Sequence, residues 1–563
     1  MKYYIYGAGK NAVEVISQLR MYIEIMNIID NDEKKIGSKI EGIEVIAAKD
    51  FITNIASSSN DKIIISVTHP IYKEEIEKDL IEKGLKKNVD FFAAKNICRF
   101  AYTPTPGMVS GYIQVPDGFE ARKSFDPSSY LVKDYSSNKI YRVIKEGYRQ
   151  KFEYIYSACK DYNLFGEYVI NTRIADDMKI LGQGLILEHE YVNTISYCYE
   201  WAPHMYEDYV YFMLDFIHTL TNAGLCLCDA HGLNATLNKG HFVFIDFGAL
   251  DKGFTDSLRI QEILNTLLLP LILMKKNQIK RAYFYLSDHN LLLGISDVAG
   301  YLDSTELKEL KELYESTIYT NSYLDVVEII DKIRNYISEF RVAPTIGVWE
   351  DYQDSEWHKS DDKNKWSVKM KNAIELIEMA KPKSIIDLAG NQGWYSTYLR
   401  SNMDRVIVAD MDCTALDKLW DRVKNNKMTN VTPLYMSICA PSLARHYDGF
   451  IDGNTIKAIR KSANERFKSD MAIALAIVHH LAFRELLTFD EIIVLLASYT
   501  DDYLIVEFVE QTDRFIHDFI KVGYEWYTKE NFEKALKELF TVISMKESAP
   551  KETRTLYLCK KCR

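Results

Sequence analysis

The sequence lacks the features of several protein classes. No block of lysine or arginine occurs along its 563 residues, and the formal net charge is -11. This balance disfavours nonspecific binding of nucleic acid or of an anionic membrane, because both are polyanions. The longest apolar run, residues 263–274, is too short and too interrupted for a membrane span. We therefore expect no nucleic-acid partner and no transmembrane segment, and at most peripheral membrane contact.

The sequence also lacks a pattern of several cysteine pairs and the pattern of a leader peptide. Its nine cysteines are scattered and odd in number, which favours reduced thiols and a cytoplasmic location. Cys559 and Cys562 form a C-x-x-C pair, but no second pair stands at the spacing of a zinc site. Residues 1–15 run directly into a strand-like stretch and a glycine turn, so we expect no signal peptide.

Three segments follow from the length and the pattern, because a chain of 563 residues is too long for one core. Strand–helix alternation over residues 1–97 and 345–563 predicts two parallel, doubly wound sheets. Residues 98–344 begin with short strand-like pieces and continue with helical periodicity, which predicts an α+β domain. The fold class is therefore α/β multidomain.

The first segment contains a short glycine motif. Gly7-x-Gly9-x-x-Ala12 follows the first predicted strand, where glycines allow backbone N–H groups to approach a phosphate. Asp30 ends the next strand, at the position that would meet a ribose in a Rossmann-like domain. A tight turn without a ligand explains the same residues and stays an alternative.

A resemblance refines this prediction. The stretches GAGKNAVEVI, IIDND and IIISVTHP resemble the N-terminal nucleotide-binding-like domain of bacterial sugar N-acetyltransferases. That family binds nucleotide sugars at this domain. The resemblance therefore implies a nucleotide or nucleotide sugar, and not necessarily NAD, as the ligand of residues 1–97.

The third segment contains two cofactor motifs in order. SIIDLAGNQG places Asp387 in a strand and then Gly390 and Gly393 in a turn, where they would face the methionine part of S-adenosylmethionine. Asp410 ends the following strand, and its carboxylate could accept both ribose hydroxyls. This spacing is typical of class I methyltransferases and predicts such a domain over residues 345–563. A Rossmann-like domain without cofactor is the alternative.

Further residues of this segment are candidates for binding and catalysis. Ser437 stands where many class I methyltransferases carry an aspartate for the adenine amine. His479 and His480 follow the fourth predicted strand, where one of them could serve as a base of near-neutral pKa. A packed core histidine is the alternative. Glu507, at the end of the fifth strand, is a weaker candidate for substrate contact.

The middle segment contains the pattern of a phosphoryl-transfer loop. Asp229 stands five residues before Asn234, and Asp246 follows twelve residues later in an Asp-Phe-Gly sequence. In a kinase-like domain the first aspartate orients the attacking hydroxyl, and the asparagine and second aspartate bind Mg²⁺. The intervening residues predict a hairpin turning at Asn-Lys-Gly. We therefore predict a protein-kinase-like domain over residues 98–344, with ATP and Mg²⁺ as its ligands.

Two lysines are candidates for the nucleotide-binding residue of this domain. Lys145 is the first candidate and Lys133 the second, and a surface lysine explains either position equally well. Glu153 is the candidate ion-pair partner, although eight residues is a short separation from Lys145. No suitably spaced glycine-rich phosphate loop precedes these residues.

A second resemblance covers most of residues 135–563. The stretches IYRVIKEGYRQKFEYIY, TISYCYEW, LCDAHGLNATLNKGHFVFIDFGAL, DLAGNQG, ALAIVHHLA and IVEFV resemble a family of bacterial class I methyltransferases. Members carry a kinase-like region before the methyltransferase domain, and some are called nodulation proteins. Many relatives have histidine in place of Lys145 and threonine after the last aspartate, so this chain looks more kinase-like than they do.

These observations predict a methyltransferase that modifies a bacterial surface glycan or its nucleotide- or lipid-linked precursor. The glycan rests on analogy, through the N-terminal resemblance and the associations of the second family. A bifunctional version adds phosphorylation before methylation, since enzymes that cap O-antigen chains phosphorylate a terminal sugar and then methylate the phosphate. One alternative is a methyltransferase with an inactive pseudokinase that binds nucleotide or substrate. A second is a nucleotide-sensing scaffold without catalysis. The acceptor, the order of reactions and the oligomeric state do not follow from the sequence.

Overall fold

The described residues of the computed structural model group into two compact units. The first holds residues 1–150, 172–191 and 445–460, and the second holds residues 151–171, 192–444 and 461–563. The domain boundaries expected after residues 97 and 344 stay a prediction. The structure describes residues 2–19, 24–49, 51, 61–67, 70–86, 90–93, 119–122, 128–134, 136–181, 184–287, 292–318, 320, 322–339, 352–354, 358, 362–442, 445–446, 458–516 and 523–562.

The first unit begins with a six-stranded sheet in the order β3-β4-β2-β1-β5-β6. Its neighbouring strands are parallel except for the β3–β4 pair. Helix α1 covers one face through Ala12 and Ile16, and α2 covers the other through Leu80, which gives the doubly wound sheet that the sequence predicts. The elements are β1 (Tyr3–Tyr6), α1 (Lys10–Leu19), β2 (Ile25–Asp30), β3 (Lys39–Ile40), β4 (Ile43–Ala47), β5 (Lys62–Ile65), α2 (Pro70–Glu82) and β6 (Phe91–Ala93).

A second, antiparallel sheet of five strands has the order β10-β11-β9-β8-β7. One face carries a small apolar core that includes Val132, Tyr141 and Ile186, because these residues alternate with polar ones along their strands. The elements are β7 (Phe119–Arg122), β8 (Ser129–Asp134), β9 (Lys139–Ile144), α3 (Arg149–Asp161), β10 (Thr172–Ile174) and β11 (Leu185–His189).

The second unit contains a helical segment built around the buried helix α4. Strand β12 pairs with β15, and β13 with β14 forms the hairpin that the sequence predicts. Lys239 and Gly240 take left-handed backbone angles at the turn of this hairpin. The elements are α4 (Pro203–Asn222), β12 (Leu225–Leu227), β13 (Ala235–Asn238), β14 (His241–Phe244), β15 (Leu250–Lys252), α5 (Ser257–Ile263), α6 (Leu269–Lys275), α7 (Ile279–Leu286), α8 (Ile295–Val298), α9 (Ser304–Thr317) and α10 (Tyr323–Glu339).

The prediction that residues 263–274 are too short for a membrane span needs correction, because they belong to a longer helical stretch. Helices α5 and α6 join through a π-helical turn, Leu264–Leu268, into the 19-residue stretch Ser257–Lys275. Among the described residues this is the one stretch long and apolar enough to cross a membrane by length and composition. Since 61% of its apolar window is buried inside the protein, it has the packing of a core helix.

The remainder of the second unit is a seven-stranded sheet in the order β18-β17-β16-β21-β22-β24-β23. Strands β18, β17, β16, β21 and β22 run parallel, and β24 runs antiparallel between β22 and β23. The elements are α11 (Val368–Ala380), β16 (Ser384–Leu388), α12 (Trp394–Tyr398), β17 (Arg405–Asp410), α13 (Cys413–Asn425), β18 (Val431–Tyr435), a pair β19 (Arg445–His446) and β20 (Ala458–Arg460) that groups with the first unit, α14 (Ala463–Arg466), β21 (Ser469–Ala474), α15 (Val478–Phe483), α16 (Phe489–Ser498), β22 (Thr500–Val509), α17 (Lys529–Leu539), β23 (Phe540–Glu547) and β24 (Arg554–Lys561).

Candidate cofactor site and acidic loop

The turn after β16 approaches the sheet so closely that two of its positions require glycine. A Cβ on Gly390 would lie 2.7 Å from Cγ of Asp387, and one on Gly393 would lie 2.6 Å from Cγ2 of Val408. Gly393 also has φ +69°, a left-handed angle that is costly for residues with a side chain. Both glycines therefore bring the backbone against the strand ends, as a cofactor-binding turn needs.

Asp410 at the end of β17 holds this turn in place. Its Oδ2 accepts a hydrogen bond from Asn391 N at 2.7 Å, and its Oδ1 accepts from Met411 N at 2.7 Å and Asp412 N at 2.9 Å. Burial raises the pKa of Asp410, and the three N–H donors oppose that shift. A carboxylate has about four lone-pair sites, so within the described part of the chain one remains on Oδ2. Binding of the ribose hydroxyls by Asp410 stays a prediction.

Asp387 is a second buried carboxylate beside the turn. Only 3% of the residue is exposed, and its Oδ2 accepts a hydrogen bond from Ser396 Oγ at 2.8 Å. Burial raises the pKa of Asp387 to about 7; Asp410 adds to the rise and the Ser396 hydrogen bond opposes it. A buried carboxylate with one neutral partner is suited to a ligand cation, because pairing would favour its charged form.

The third strand ends beside Asp410, since Met436 N donates to the Asp410 carbonyl oxygen at 2.9 Å. Ser437 follows, half-buried, and its Oγ accepts from Ala440 N at 3.2 Å. Met411 is an apolar residue that the sequence analysis missed. It is 51% exposed directly after Asp410, where an adenine ring could stack on it. An apolar residue directly after the acidic strand end is the sequence signal that could have identified it.

The two histidines lie on α15, as expected beyond the fourth strand, but they are not near-neutral bases. His479 is buried, and its Nδ1 has no hydrogen-bond partner in the described structure. Burial, together with the neighbouring His480 ring and the Arg554 and Lys369 cations, lowers the pKa of His479 to about 3. Burial and Arg484 lower the pKa of His480 to about 4. Both rings are neutral at pH 7 and are weaker bases than an ordinary histidine.

Glu507 does not face a substrate as the sequence analysis suggested. Its side chain is fully buried and pairs with Lys369 Nζ at 2.7 Å. The Ser548 hydroxyl donates to its other carboxylate oxygen. The ion pair raises the pKa of Lys369, although burial opposes this. Glu507 is therefore part of a buried ion pair between α11 and the sheet.

In the helical segment, hydrogen bonds to backbone carbonyl oxygens link the three residues of the predicted phosphoryl-transfer loop. Asn234 Nδ2 donates to the Asp229 carbonyl oxygen at 3.3 Å, and Ile245 N donates to the Asn234 carbonyl oxygen at 2.8 Å. The second contact places Asp246 directly beside Asn234. Asp246 Oδ1 in turn accepts from Gly248 N at 3.0 Å and caps a short 3₁₀ turn. We refer to Asp229, Asn234 and Asp246 as the acidic loop.

Asp229 pairs with a histidine that the sequence analysis did not assign. His231 Nε2 lies 3.2 Å from Asp229 Oδ2, and His231 Nδ1 accepts from Leu233 N at 3.3 Å. Burial raises the pKa of Asp229, but the His231 hydrogen bond and charge outweigh it and leave that pKa lowered. Among the described residues no group of three or more histidine, cysteine, aspartate and glutamate side chains could hold a metal ion. Asn234 and Asp246 as Mg²⁺ ligands therefore stay a prediction.

The predicted lysines lie in the antiparallel sheet of the first unit. Lys145 follows β9 directly, is half-buried, and its backbone N donates to the Ser128 carbonyl oxygen at 2.9 Å. Lys133 lies within β8, and its ammonium group is 5.2 Å from the centre of the Tyr191 ring. Glu153 lies on α3 and belongs to the second unit. A role in nucleotide binding stays a prediction for all three.

The N-terminal turn repeats the geometry of the turn after β16. Ala8 N donates to Asp30 Oδ2 at 2.6 Å, and a Cβ on Gly7 would lie 2.5 Å from Val67 Cγ2. Gly9 faces open space, since a Cβ there would meet no atom within 4 Å. Lys35 Nζ lies 3.4 Å from Asp30 Oδ2. The residues predicted to bind a nucleotide are thus together at the ends of β1 and β2.

The C-terminal cysteines are not arranged as a pair of metal ligands. Cys559 is buried within β24, whereas Cys562 lies beyond the strand and is exposed. Cys562 Sγ contacts Thr541 Oγ1 at 3.7 Å. This agrees with the absence of a second cysteine pair from the sequence.

Comparison with known proteins gives partial likenesses along the chain. Residues 1–89 match a family model described as C2185-like, N-terminal. Nodulation protein NoeA of Rhizobium meliloti (strain 1021) is 24% identical over 408 residues, which cover 66% of this chain and 81% of that protein. The resemblance of the N-terminus to sugar N-acetyltransferases stays a prediction.

Two solved structures are similar to parts of this chain. The N-methyltransferase NodS from Bradyrhizobium japonicum WM9, in complex with S-adenosyl-L-homocysteine, is 11% identical over 38% of this chain and 95% of that chain, with a TM-score of 0.26. WbdD, crystallised with the kinase inhibitor LY294002, is 15% identical over 40% of this chain and 47% of that chain, with a TM-score of 0.25. TM-scores this low carry no argument about the fold, so the fold is assigned from the order of the strands in the sheet. The seven parallel and antiparallel strands follow the class I methyltransferase order.

Proposed function

We propose that this protein is an S-adenosylmethionine-dependent methyltransferase. The observation that carries the proposal is the arrangement of Asp387, Gly390, Gly393 and Asp410 at the ends of two adjacent parallel strands. Ligands of open α/β sheets bind beyond the carboxyl ends of the strands. At Gly390 and Gly393 any side chain would clash with the sheet, and Asp387 is a buried carboxylate whose pKa is raised. A fold without a ligand would need neither feature.

The residues present fit this cofactor group by group. Asp387 would pair with the ammonium group of the methionine part, and Asp410 Oδ2 would accept a ribose hydroxyl. The exposed Met411 side chain would stack on the adenine ring, and Ser437 would lie near its edge. When bound, S-adenosylmethionine supplies a methyl group on a positively charged sulfur.

The acceptor side of the site lies beyond the fourth strand, at α15. His479 and His480 are neutral at pH 7 and weak as bases, because their pKa values lie near 3 and 4. A neutral imidazole can still orient an acceptor by donating or accepting one hydrogen bond. We therefore propose that the histidines orient the acceptor and do not remove its proton.

A glycan, or its nucleotide- or lipid-linked precursor, is the acceptor class we propose. The proposal is supported by the turn at Gly7 and Gly9 with Asp30 against it, which is the arrangement expected of a nucleotide site. A chain that carries both a nucleotide-sugar domain and a methyl-transfer site would suit this class of acceptor. The negative net charge of -11 disfavours a nucleic-acid acceptor.

We also propose a kinase-like arrangement for the middle segment. Counted along the chain, its five antiparallel strands have the spatial order first, second, third, fifth, fourth, with α3 between the third and fourth. The antiparallel sheet, the hairpin β13–β14 and the spacing of Asp229, Asn234 and Asp246 support this proposal. The bifunctional version adds phosphoryl transfer from ATP with Mg²⁺ before methylation.

A pseudokinase is the second candidate for this segment. Residues 123–128, which join β7 and β8, contain no glycine, whereas active kinases carry a glycine-rich loop between these strands. On this version the segment binds nucleotide or substrate without turnover. A scaffold without catalysis is less favoured, because it gives no reason for the paired carboxylates Asp387 and Asp410.

Transfer of labelled methyl groups tests the proposed function. The purified full chain would be incubated with S-adenosylmethionine tritiated in its methyl group and with fractionated nucleotide sugars and lipid-linked saccharides. We expect one acceptor fraction to be labelled by the wild type and not by Asp410→Ala. If no fraction is labelled above the level of this variant, a glycan acceptor is ruled out.

A further inference from the structure

A buried glutamine from outside the seven-stranded sheet bridges the two ends of the glycine turn. Gln353 Nε2 donates to the Gly390 carbonyl oxygen at 3.2 Å, and Gln353 Oε1 accepts from Trp394 N at 3.0 Å. The residue is 7% exposed. Both polar ends of one side-chain amide are therefore used on the turn that would hold the cofactor.

The backbone of this turn is in a conformation that needs external support. Ala389, Asn391 and Gly393 all have left-handed φ angles, of 56°, 52° and 69°. A left-handed angle costs a residue with a Cβ about 1–2 kcal/mol, and such angles persist only where the surroundings fix them. The Trp394 N–H also lies in the first turn of α12, where a backbone donor has no partner within its helix. Gln353 supplies that partner.

Asp354 makes a second connection to the same turn. Its Oδ1 accepts from Gln392 Nε2 at 3.1 Å, and its Oδ2 pairs with Lys418 Nζ at 2.7 Å. Lys418 belongs to α13, the helix that follows Asp410. Asp354 thus joins the glycine turn to the helix behind the ribose-binding carboxylate.

We propose that Gln353 is a positioning residue for S-adenosylmethionine, with Asp354 in support, and this deepens the proposed methyltransferase function on which it rests. Gln353 does not contact the reacting atoms. It holds the turn from Gly390 to Trp394, with left-handed angles at Asn391 and Gly393, against Asp387 and Val408. The cofactor then binds to a turn that is already in its final shape, and no binding free energy is lost in ordering it.

Binding of S-adenosylhomocysteine, measured by calorimetry on the full chain, is the first test. Gln353→Met keeps the length of the side chain and removes both hydrogen bonds, so we expect the affinity to fall by about 10- to 30-fold. Asn364→Ala is the matched control, since Asn364 is exposed and lies nearby in the sequence. Affinity in Gln353→Met equal to that of the control would overturn the proposal. Absence of binding in the wild type would instead reject the proposed function.

Hydrogen exchange without ligand is the second test. The Trp394 amide should lose protection in Gln353→Met, while amides of strands β16 and β17 keep theirs. Gln353→Glu keeps an acceptor for Trp394 N and loses the donor to the Gly390 carbonyl oxygen. We expect this variant to keep the protection of the Trp394 amide and to bind S-adenosylhomocysteine with intermediate affinity. An unchanged Trp394 amide in Gln353→Met, or protection lost across the whole sheet, contradicts the positioning role.

Discussion

Arg466 and Glu200 form a buried ion pair between segments that lie 266 residues apart in the sequence. Arg466 Nη1 donates to Glu200 Oε2 at 2.9 Å, and Nη2 contacts the other oxygen. The side chains are 6% and 3% exposed, and Ser442 Oγ donates to Glu200 Oε1 at 2.8 Å. The helical segment and the seven-stranded sheet therefore share a polar core within the second unit.

Helices α4 and α13 extend this junction. Asp417 of α13 accepts from His204 N, in the first turn of α4, at 2.8 Å. Trp420 Nε1 donates to Asp208 Oδ2 at 2.6 Å, so each helix supplies a carboxylate to the other. Because α13 follows Asp410 directly, residues before 345 support the helix behind the cofactor site. These contacts agree with the grouping of the helical segment and the seven-stranded sheet in one compact unit.

Removing one charge of the Arg466–Glu200 pair should destabilise the protein strongly. Arg466→Met leaves the Glu200 carboxylate buried without its partner, which costs about 3–5 kcal/mol of unfolding free energy. Urea denaturation of the full chain measures the loss. Lys308→Ala is the control, because the Lys308–Glu312 pair is 76% and 60% exposed and should contribute under about 0.5 kcal/mol. Equal losses in the two variants would show that the buried pair is not needed.

Gly393→Ala should distort the glycine turn. The added Cβ would meet Val408 Cγ2 at 2.6 Å, and the residue would keep φ +69°, so we expect a loss of about 1–3 kcal/mol. Val408→Ala removes the contact and not the backbone strain, so in a double-mutant cycle Gly393→Ala should cost less in the Val408→Ala background than in the wild type. Gly300→Ala serves as control, because no atom lies within 4 Å of its added Cβ. Denaturation curves for Gly393→Ala that match this control would contradict the geometry.

Affinity for S-adenosylmethionine should rise with pH. Burial raises the pKa of Asp387 to about 7, so the side chain is mostly neutral at pH 6 and mostly charged at pH 8. Only the charged form attracts the ligand's ammonium group, so the dissociation constant should fall by about tenfold between these pH values. Calorimetry at pH 6, 7 and 8 measures the change. Asp387→Asn should bind weakly at every pH, and a flat wild-type profile would remove Asp387 from the site.

Asp246→Asn tests the acidic loop. If the loop binds ATP with Mg²⁺, the two ligands together should raise the melting temperature of the wild type and leave that of the variant unchanged. Without ligands the two proteins should melt alike, since Asn keeps an acceptor for Gly248 N. Lys280→Ala, an exposed change on α7, should behave as the wild type. A ligand-induced shift that survives in Asp246→Asn would exclude this site for the metal nucleotide.

The sheets and the cofactor motifs could be predicted from the sequence because they depend on local patterns. Apolar strands that end in Asp30, Asp387 and Asp410, each beside a glycine turn, carry their geometry within a few residues. The hairpin β13–β14 follows in the same way from Asn-Lys-Gly between two apolar runs.

The other features of the site depend on contacts between residues that lie far apart in the sequence. A local sequence pattern does not contain such contacts. Glu507 looked available for substrate, but Lys369, 138 residues away, pairs with it. The prediction of a near-neutral pKa for His479 was wrong, because burial and nearby cations disfavour the charged form of its ring. Gln353 showed no motif, since its role depends on reaching Trp394 across 41 residues.

Calorimetric titration of the full chain with S-adenosylhomocysteine tests the central claim most directly. Asp410 Oδ2 is the acceptor proposed for the ribose, and its carboxylate holds the turn through Asn391 N. The account predicts saturable binding by the wild type, weakened by at least about tenfold in Asp410→Ala. No binding by the wild type, or equal affinity in the variant, would contradict it.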